Sequence, residues 1–112
     1  MNPLRQRAAA RHELHGTIDD FIGAAAFLLK EKGRVYVIYP AKRSVSLIAS
    51  LRQKGLEPKR LRYVQSDASS PAVFVLAEGI KGGGEQVTVL PPLALFEAPG
   101  VYSEKVRKIM GS

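Results

Sequence analysis

Cysteine is absent from this 112-residue sequence, which excludes disulfides and a cysteine nucleophile and leaves nothing that points to an oxidising compartment. Long apolar runs are absent too, and none approaches the roughly 18 residues that a transmembrane helix needs. The N-terminus, MNPLRQRAAARHEL, lacks the apolar core of a signal peptide. We therefore expect a cytoplasmic protein that makes no contact with a membrane.

Acidic residues are scarce relative to basic ones. The chain has 10 Asp and Glu against 17 Lys and Arg, for a formal net charge of +7. This excess favours an anionic partner, nucleic acid first, although it also serves solubility alone. Apolar residues make up 46% of the sequence, which is typical of a globular chain, and the length allows one domain at most.

Catalytic and metal-binding motifs are missing as well. The segment KGGGE (81–85) is not a phosphate-binding loop, because no Lys-Ser/Thr pair follows the glycines. His12, Glu13 and His15 are too close together on one helix to converge on a single ion. The sequence therefore predicts no catalytic residue and no metal ligand.

Two helices are predicted at the start of the chain. Residues 4–14, LRQRAAARHEL, have helix-forming composition. Thr17 and Asp20 have the spacing of a capping box that opens a second helix, whose apolar residues recur every three or four positions. Gly33 suits the left-handed position that follows a helix end.

Strands dominate the rest of the sequence. The segment RVYVIY (34–39) is apolar without alternation, which predicts a strand covered on both faces. A helix over about 41–54 follows and is closed by Gly55. The remaining predictions are strands over 59–65 and 72–77 joined by a turn, a strand start within 86–95 that Pro91 and Pro92 break, and a last helix with Ser103 as its N-cap.

The order of these elements predicts an α/β fold. One strand–helix–strand crossover is followed by a terminal β-hairpin, which is typical of the closing half of a doubly wound sheet. The opening strands of such a sheet have no counterpart here. Residues 1–112 are therefore interpreted as a single partial domain whose N-terminal strands are missing.

Four segments of the sequence resemble one enzyme family. They are ARHELHGTIDDF (10–21), FLLKEKGRVYVIYP (27–40), LRQKGLEPKRLRYV (51–64) and LPPLALFEAPGVYSEKVRKIMG (90–111). Together they resemble the C-terminal half of bacterial tRNA adenine-N6 methyltransferases, which modify an adenine beside the anticodon of a valine tRNA. The resemblance covers essentially the whole chain.

The resemblance implies a class I, Rossmann-like methyltransferase fold with S-adenosylmethionine as cofactor. Such enzymes use a Gly-rich loop after the first strand, an acid at the end of the second, and Asn-Pro-Pro-aromatic at the end of the fourth. None of the three is present; Asn2-Pro3-Leu4 lacks the second proline and the aromatic residue. We therefore expect that this chain alone neither binds the cofactor nor catalyses methyl transfer, which leaves its status as an enzyme open.

Candidate RNA-binding residues fall into two basic groups. The first lies in the segment that, in the family, sits beside the target-base pocket, and the second lies on a predicted strand. Each group could contact RNA phosphates, but the first could equally be a solvated helix face and the second a charged edge that deters aggregation. Tyr39 could line a base pocket, or it could be a core residue with a satisfied hydroxyl. The two groups are Arg5, Arg7, Arg11 and His12, and Lys59, Arg60 and Arg62.

Half a sheet should also leave the 34–39 strand without a neighbour on one side. We expect this edge to pair either with a second copy of the chain or with a complementing N-terminal half. The leading hypothesis is a fragment of a tRNA-modifying methyltransferase. The alternatives are a stand-alone basic RNA-binding module and a structural remnant without function that is stable only as an oligomer.

Overall fold

The computed structural model describes residues 17–98 and 100–110, and within them helices and strands form an α/β arrangement. The helix expected over 4–14 lies outside the described residues. In chain order the elements are α1 (Ile18–Leu28), β1 (Arg34–Pro40), a 3-10 turn (Ala41–Arg43), α2 (Ser44–Gln53), β2 (Leu56–Gln65), β3 (Ala72–Lys81), β4 (Thr88–Val89), β5 (Leu93–Ala94), β6 (Phe96–Ala98), β7 (Val101–Tyr102) and α3 (Glu104–Ile109).

Helix α1 begins as its sequence predicts and ends differently. The Thr17 hydroxyl accepts a hydrogen bond from the Asp20 backbone N–H (3.2 Å), and the Asp20 carboxylate accepts one from the Thr17 N–H (3.1 Å), so the capping box is confirmed. The left-handed position expected at Gly33 is wrong, because Lys32 takes it with φ 69°. That turn places the Lys32 N–H 2.9 Å from the Lys81 carbonyl of β3.

The sheet has its last long strand in the middle. Strand β3 lies between β1 and β2 and is antiparallel to both, so β1 and β2 run parallel to each other with α2 as the crossover. The crossover and the β2–β3 hairpin are confirmed. Both hairpin strands exceed their predicted bounds, since β2 starts at Leu56 and β3 reaches Lys81, where the register with β1 still pairs Ile80 with Arg34.

The core lies on one face of this sheet. Its fully buried side chains include Ile22 of α1, Leu51 of α2 and Val75 of β3. The expectation that β1 is covered on both faces is wrong. Val37 points to the core and is 5% exposed, whereas Tyr36 and Ile38 are 68% and 67% exposed. The reason is that α1 and α2 both pack on the Val37 side, and no described segment covers the other two side chains.

The segment after β3 adds short strands to the outer edge of β2. Strands β4 and β5 each pair parallel with β2, and the Pro91–Pro92 break between them is confirmed. Helix α3 begins as predicted, because the Ser103 hydroxyl accepts a hydrogen bond from the Val106 N–H at 3.2 Å. The sheet is therefore mixed, with parallel and antiparallel pairs.

Candidate functional site

The free edge of β1 is the first feature of the candidate site. Within the described ranges, β1 pairs only with β3, so its opposite edge has no strand beside it. An unpaired edge of this length presents a row of N–H and C=O groups that can pair with another strand. The edge therefore has the backbone chemistry of a strand-addition site.

An apolar concavity of about 960 Å³ lies along this edge. Helix α1 forms one wall, and its last residue, Leu28, is 76% exposed. The neighbouring Phe27 is 86% exposed but does not line the concavity. Apolar surface beside an unpaired strand indicates a surface that is buried when a further element is present. The lining combines apolar residues with charged and aromatic side chains of the sheet, and it includes Phe21, Ala24, Leu28, Val35, Leu61, Leu90, Arg34, Tyr36, Arg60, Arg62 and Glu78.

A charged cluster occupies the sheet face opposite the core. The Glu78 carboxylate accepts hydrogen bonds from Arg34 Nη1 at 2.7 Å, from Arg60 Nε at 2.8 Å and from the Tyr36 hydroxyl at 3.0 Å. Its side chain is 5% exposed, whereas the arginines are 50% and 55% exposed. The register explains the meeting, because Tyr36 and Arg60 are both cross-strand partners of Glu78.

Electrostatics in this cluster keep Glu78 ionised. Hydrogen bonds from Arg60 and then Arg34 lower the pKa of Glu78 from 4.5 to about 2, against the opposing effect of burial. The same contacts raise the pKa of each arginine. Sequence reasoning missed Arg34 and Glu78, and it considered Tyr36 only as a site or core residue, not as a partner of Glu78. The available signal was a single acid, Glu78, in the otherwise apolar strand AVFVLAEGI.

The second predicted basic group does not act as a unit. Lys59 donates hydrogen bonds to the carbonyls of Gly84 (3.0 Å) and Gln86 (2.6 Å), and Arg60 is paired with Glu78. Arg62 has no ion pair with any acid in the described part of the chain. RNA contact by these three residues stays a prediction. Arg5, Arg7, Arg11 and His12 lie outside the described residues.

Tyr39, the candidate for a base pocket, is half-buried and packs against the hydrophobic core. It lies on the core side of β1, so it faces away from the Glu78 cluster. A role in base binding stays a prediction. The described residues contain no group of three or more potential metal ligands, and they include no helix with the length and apolar character needed to cross a membrane.

These features define a class of fold. A mixed sheet with the strand order β1–β3–β2, an antiparallel strand in the middle and a helical crossover between the parallel pair is a methyltransferase-like α/β fold, and the predicted fold class is confirmed. Neither a family profile nor a curated protein matches the sequence.

The fold assignment comes from a solved structure. It is that of a protein described as a predicted O-methyltransferase from Agrobacterium tumefaciens, which matches this chain with a TM-score of 0.71 at 20% sequence identity. The match covers 85% of this chain and 46% of the other, so this chain spans just under half the length of that protein. At this identity the likeness concerns the fold.

The described residues do not by themselves fit the cofactor of such a fold. In doubly wound sheets a nucleoside ligand lies at the carboxyl ends of the parallel strands, with an acid on the ribose hydroxyls. Asp67 is the first acid in the chain after the carboxyl end of β2 at Gln65. Its Oδ1 already accepts from the Ser69 N–H (3.0 Å), the Ser69 hydroxyl (3.1 Å) and the Ser70 hydroxyl (2.9 Å) within its own turn.

Proposed function

We propose that this chain supplies the β1–β3–β2 part of an S-adenosylmethionine-dependent methyltransferase, and that the complete enzyme methylates adenine N6 in a tRNA. The observation that carries the proposal is the free edge of β1 beside an apolar concavity, in a fold that matches just under half of a methyltransferase-like structure. The substrate assignment rests on the resemblance of four sequence segments to the adenine-N6 family and on the net charge of +7.

The division of labour follows from what the 112 residues contain. They carry no Gly-rich strand-loop and no Asn-Pro-Pro-aromatic motif, so cofactor binding and catalysis come from a segment outside them. That segment pairs a strand with the edge of β1 and buries the concavity. Burial stabilises by about 25 cal/mol per Å², so several hundred Å² of apolar interface would contribute several kcal/mol, comparable to the stability of a small domain.

The test is a cofactor titration by calorimetry. S-adenosylmethionine is added to this chain alone, to the N-terminal half of an adenine-N6 methyltransferase that carries the Gly-rich loop and the Asn-Pro-Pro-aromatic motif, and to the mixture. We expect no binding by this chain alone and binding by the mixture, followed by methyl incorporation into tRNA. Cofactor binding by this chain alone, or a mixture no better than its separate parts, contradicts the proposal.

A matched pair of variants tests the interface. Leu28→Glu places a charge in the concavity, whereas Phe27→Glu places one at the preceding position, which is also largely exposed but lies outside the concavity. We expect Leu28→Glu to abolish complementation and Phe27→Glu to preserve it. Equal effects from the two variants would contradict a role for the concavity.

The same edge also suits pairing between two copies of this chain when no complementing segment is present. We expect concentration-dependent dimers by light scattering and a shift toward monomers with Leu28→Glu. A monodisperse monomer at high concentration contradicts this arrangement. If instead the chain binds tRNA alone with strong salt dependence and never complements, the stand-alone RNA-binding alternative replaces the methyltransferase proposal.

A further inference from the structure

The sheet face that carries Glu78 adjoins the free edge of β1 and belongs to the same concavity, which Tyr36, Ile38 and Leu76 line together with Arg60 and Arg62. Side chains alternate along a strand, so Tyr36 and Ile38 of β1 share this face with Leu76 and Glu78 of β3. Tyr36 and Ile38 are each about two-thirds exposed. Because α1 and α2 both cover the opposite face, the described helices leave this apolar strip open to solvent.

The charge on this face is unbalanced. Arg60 and Arg62 of β2 lie two residues apart and therefore point the same way, and Arg34 joins them through the shared carboxylate of Glu78. Among the described residues the face thus holds three guanidinium groups and one carboxylate. The contacts to Glu78 use one nitrogen of Arg34 and one of Arg60, and each guanidinium has five N–H donors.

We propose that this face docks an amphipathic helix that places carboxylates beside Arg60 and Arg62 and apolar side chains over Ile38 and Leu76. A helix presents an apolar stripe flanked by polar positions, which suits a surface that combines apolar and cationic side chains. The inference deepens the proposed function and rests on it, because the segment that completes the sheet is the source of this helix.

Charge argues against the other occupants. A second copy seated on this face through its own face would bring the same three arginines against these, and like charges repel. A nucleic-acid backbone would satisfy the arginines but leave the apolar strip of Ile38 and Leu76 without a counterpart. A helix with both an apolar stripe and carboxylates matches both parts of the surface.

Three synthetic helical peptides test the inference on the whole chain. They share one leucine stripe and carry Glu, Gln or Lys at the flanking positions. Binding is followed by NMR through the side-chain signals of Tyr36, Ile38 and Leu76. We expect the Glu peptide to bind at least about tenfold more tightly than the Lys peptide, with the Gln peptide between them.

Charge reversal supplies the decisive control. Arg62→Glu removes a guanidinium that has no described ion pair, so the fold should survive; circular dichroism checks this. We expect this variant to lose the preference for the Glu peptide and to gain affinity for the Lys peptide. Lys105→Glu makes the same charge change on α3. It should alter neither the preference for the Glu peptide nor the affinity for the Lys peptide. Ile38→Glu should weaken the binding of all three peptides.

Three results would overturn the inference. They are equal affinity for the three peptides, no binding at millimolar peptide, and shifts confined to residues of the opposite face. Perturbation of Tyr36 and Ile38 by a tRNA oligonucleotide, without any by the Glu peptide, would assign the face to RNA instead. Peptide preference needs no cofactor, so its failure is distinguishable from a failed S-adenosylmethionine titration.

Discussion

Glu78 couples the charge of one buried carboxylate to the stability of the sheet. Its folded pKa of about 2 lies below the ordinary value of 4.5. A group whose pKa is lowered on folding contributes stability that is fully present above the unfolded pKa. That contribution is lost as the pH falls from about 4.5 toward 2.

We predict that Glu78→Gln lowers the free energy of unfolding by about 1–3 kcal/mol at pH 7, because it leaves Arg34 and Arg60 without their carboxylate. Urea unfolding at pH 7 and pH 3 measures the effect. The difference in free energy of unfolding between the native chain and the variant should be smaller at pH 3 than at pH 7. Glu97→Gln, at a half-exposed pair of 3.4 Å, is the control and should cost little. A difference that is the same at both pH values would refute the assignment.

The side chain of Lys81 in β3 contacts the C-terminal end of helix α1. Helix α1 has no basic residue in its last turn, and the Lys81 ammonium of β3 donates to the carbonyls of Ala26 (2.6 Å) and Leu29 (2.8 Å) at its end. These are carbonyls that a helix leaves without an internal partner, and the positive charge is favourable near them.

We predict that Lys81→Met, which keeps most of the aliphatic stem, destabilises the fold by about 1–2 kcal/mol. Chemical denaturation followed by circular dichroism measures it, and hydrogen exchange should show faster exchange at the end of α1. Lys42→Met, at an exposed position in the 3-10 turn, should change stability by less than about 0.5 kcal/mol. Indistinguishable variants would show that the contact does not stabilise α1.

The cross-strand residue pairs were the features hardest to predict from the sequence. Arg34 and Glu78 are 44 residues apart, and only the cross-strand register brings them together. Local patterns carry no information on register when three strands have apolar faces of similar character. The lone acid in β3 was visible in the sequence, but its two arginine partners were not.

At the scale of elements, β1 shows two unequal faces within one apolar run. A run without alternation indicates that both faces can be buried, not that both are buried by the residues at hand. In this strand Val37 contributes to the core, and Ile38 does not. Adjacent positions of one strand therefore offer a direct measure of what each face contributes.

We predict that Val37→Ala destabilises the chain by about 1–3 kcal/mol, since it removes buried methyl groups from the core. Ile38→Ala should cost less than about 0.5 kcal/mol, although it removes more atoms, because Ile38 is 67% exposed. Urea denaturation of both variants measures the two losses of stability. A larger loss for Ile38→Ala would mean that this face is already covered in the free chain.

The type and order of the helices and strands were predictable from the sequence. Which faces of the strands are buried was not. The capping box of α1, the glycine that closes α2 and the Pro91–Pro92 break are local signals, and each predicted element that lies in the described residues is present. The burial of the Tyr36 and Ile38 side of β1 depends on a covering segment, and no described helix lies over it. The sequence could therefore predict the strand but not its solvent-exposed face.

At the scale of the whole molecule, the chain is less compact than a typical domain and carries a large positive charge. The radius of gyration is 15.0 Å, against about 13 Å for a compact domain of this length. The net charge of +7 repels itself within a small volume. Counterions should relieve that repulsion.

We predict that raising NaCl from about 20 to about 200 mM increases the thermal midpoint by a few degrees, because the Debye length falls to below about 10 Å. Differential scanning fluorimetry at constant pH measures it. The Glu78→Gln variant, with one more net positive charge, should respond at least as strongly. A midpoint that falls with salt would mean that attractive surface pairs outweigh the repulsion.

The central place of β3 has a consequence for synthesis on the ribosome. Strands β1 and β2 do not pair with each other, and each is joined to the sheet through β3. A nascent chain that has emerged only as far as Gln65 therefore holds two strands with nothing to bridge them. The three long strands therefore cannot form one sheet until β3 has been synthesised and can pair with both of its neighbours.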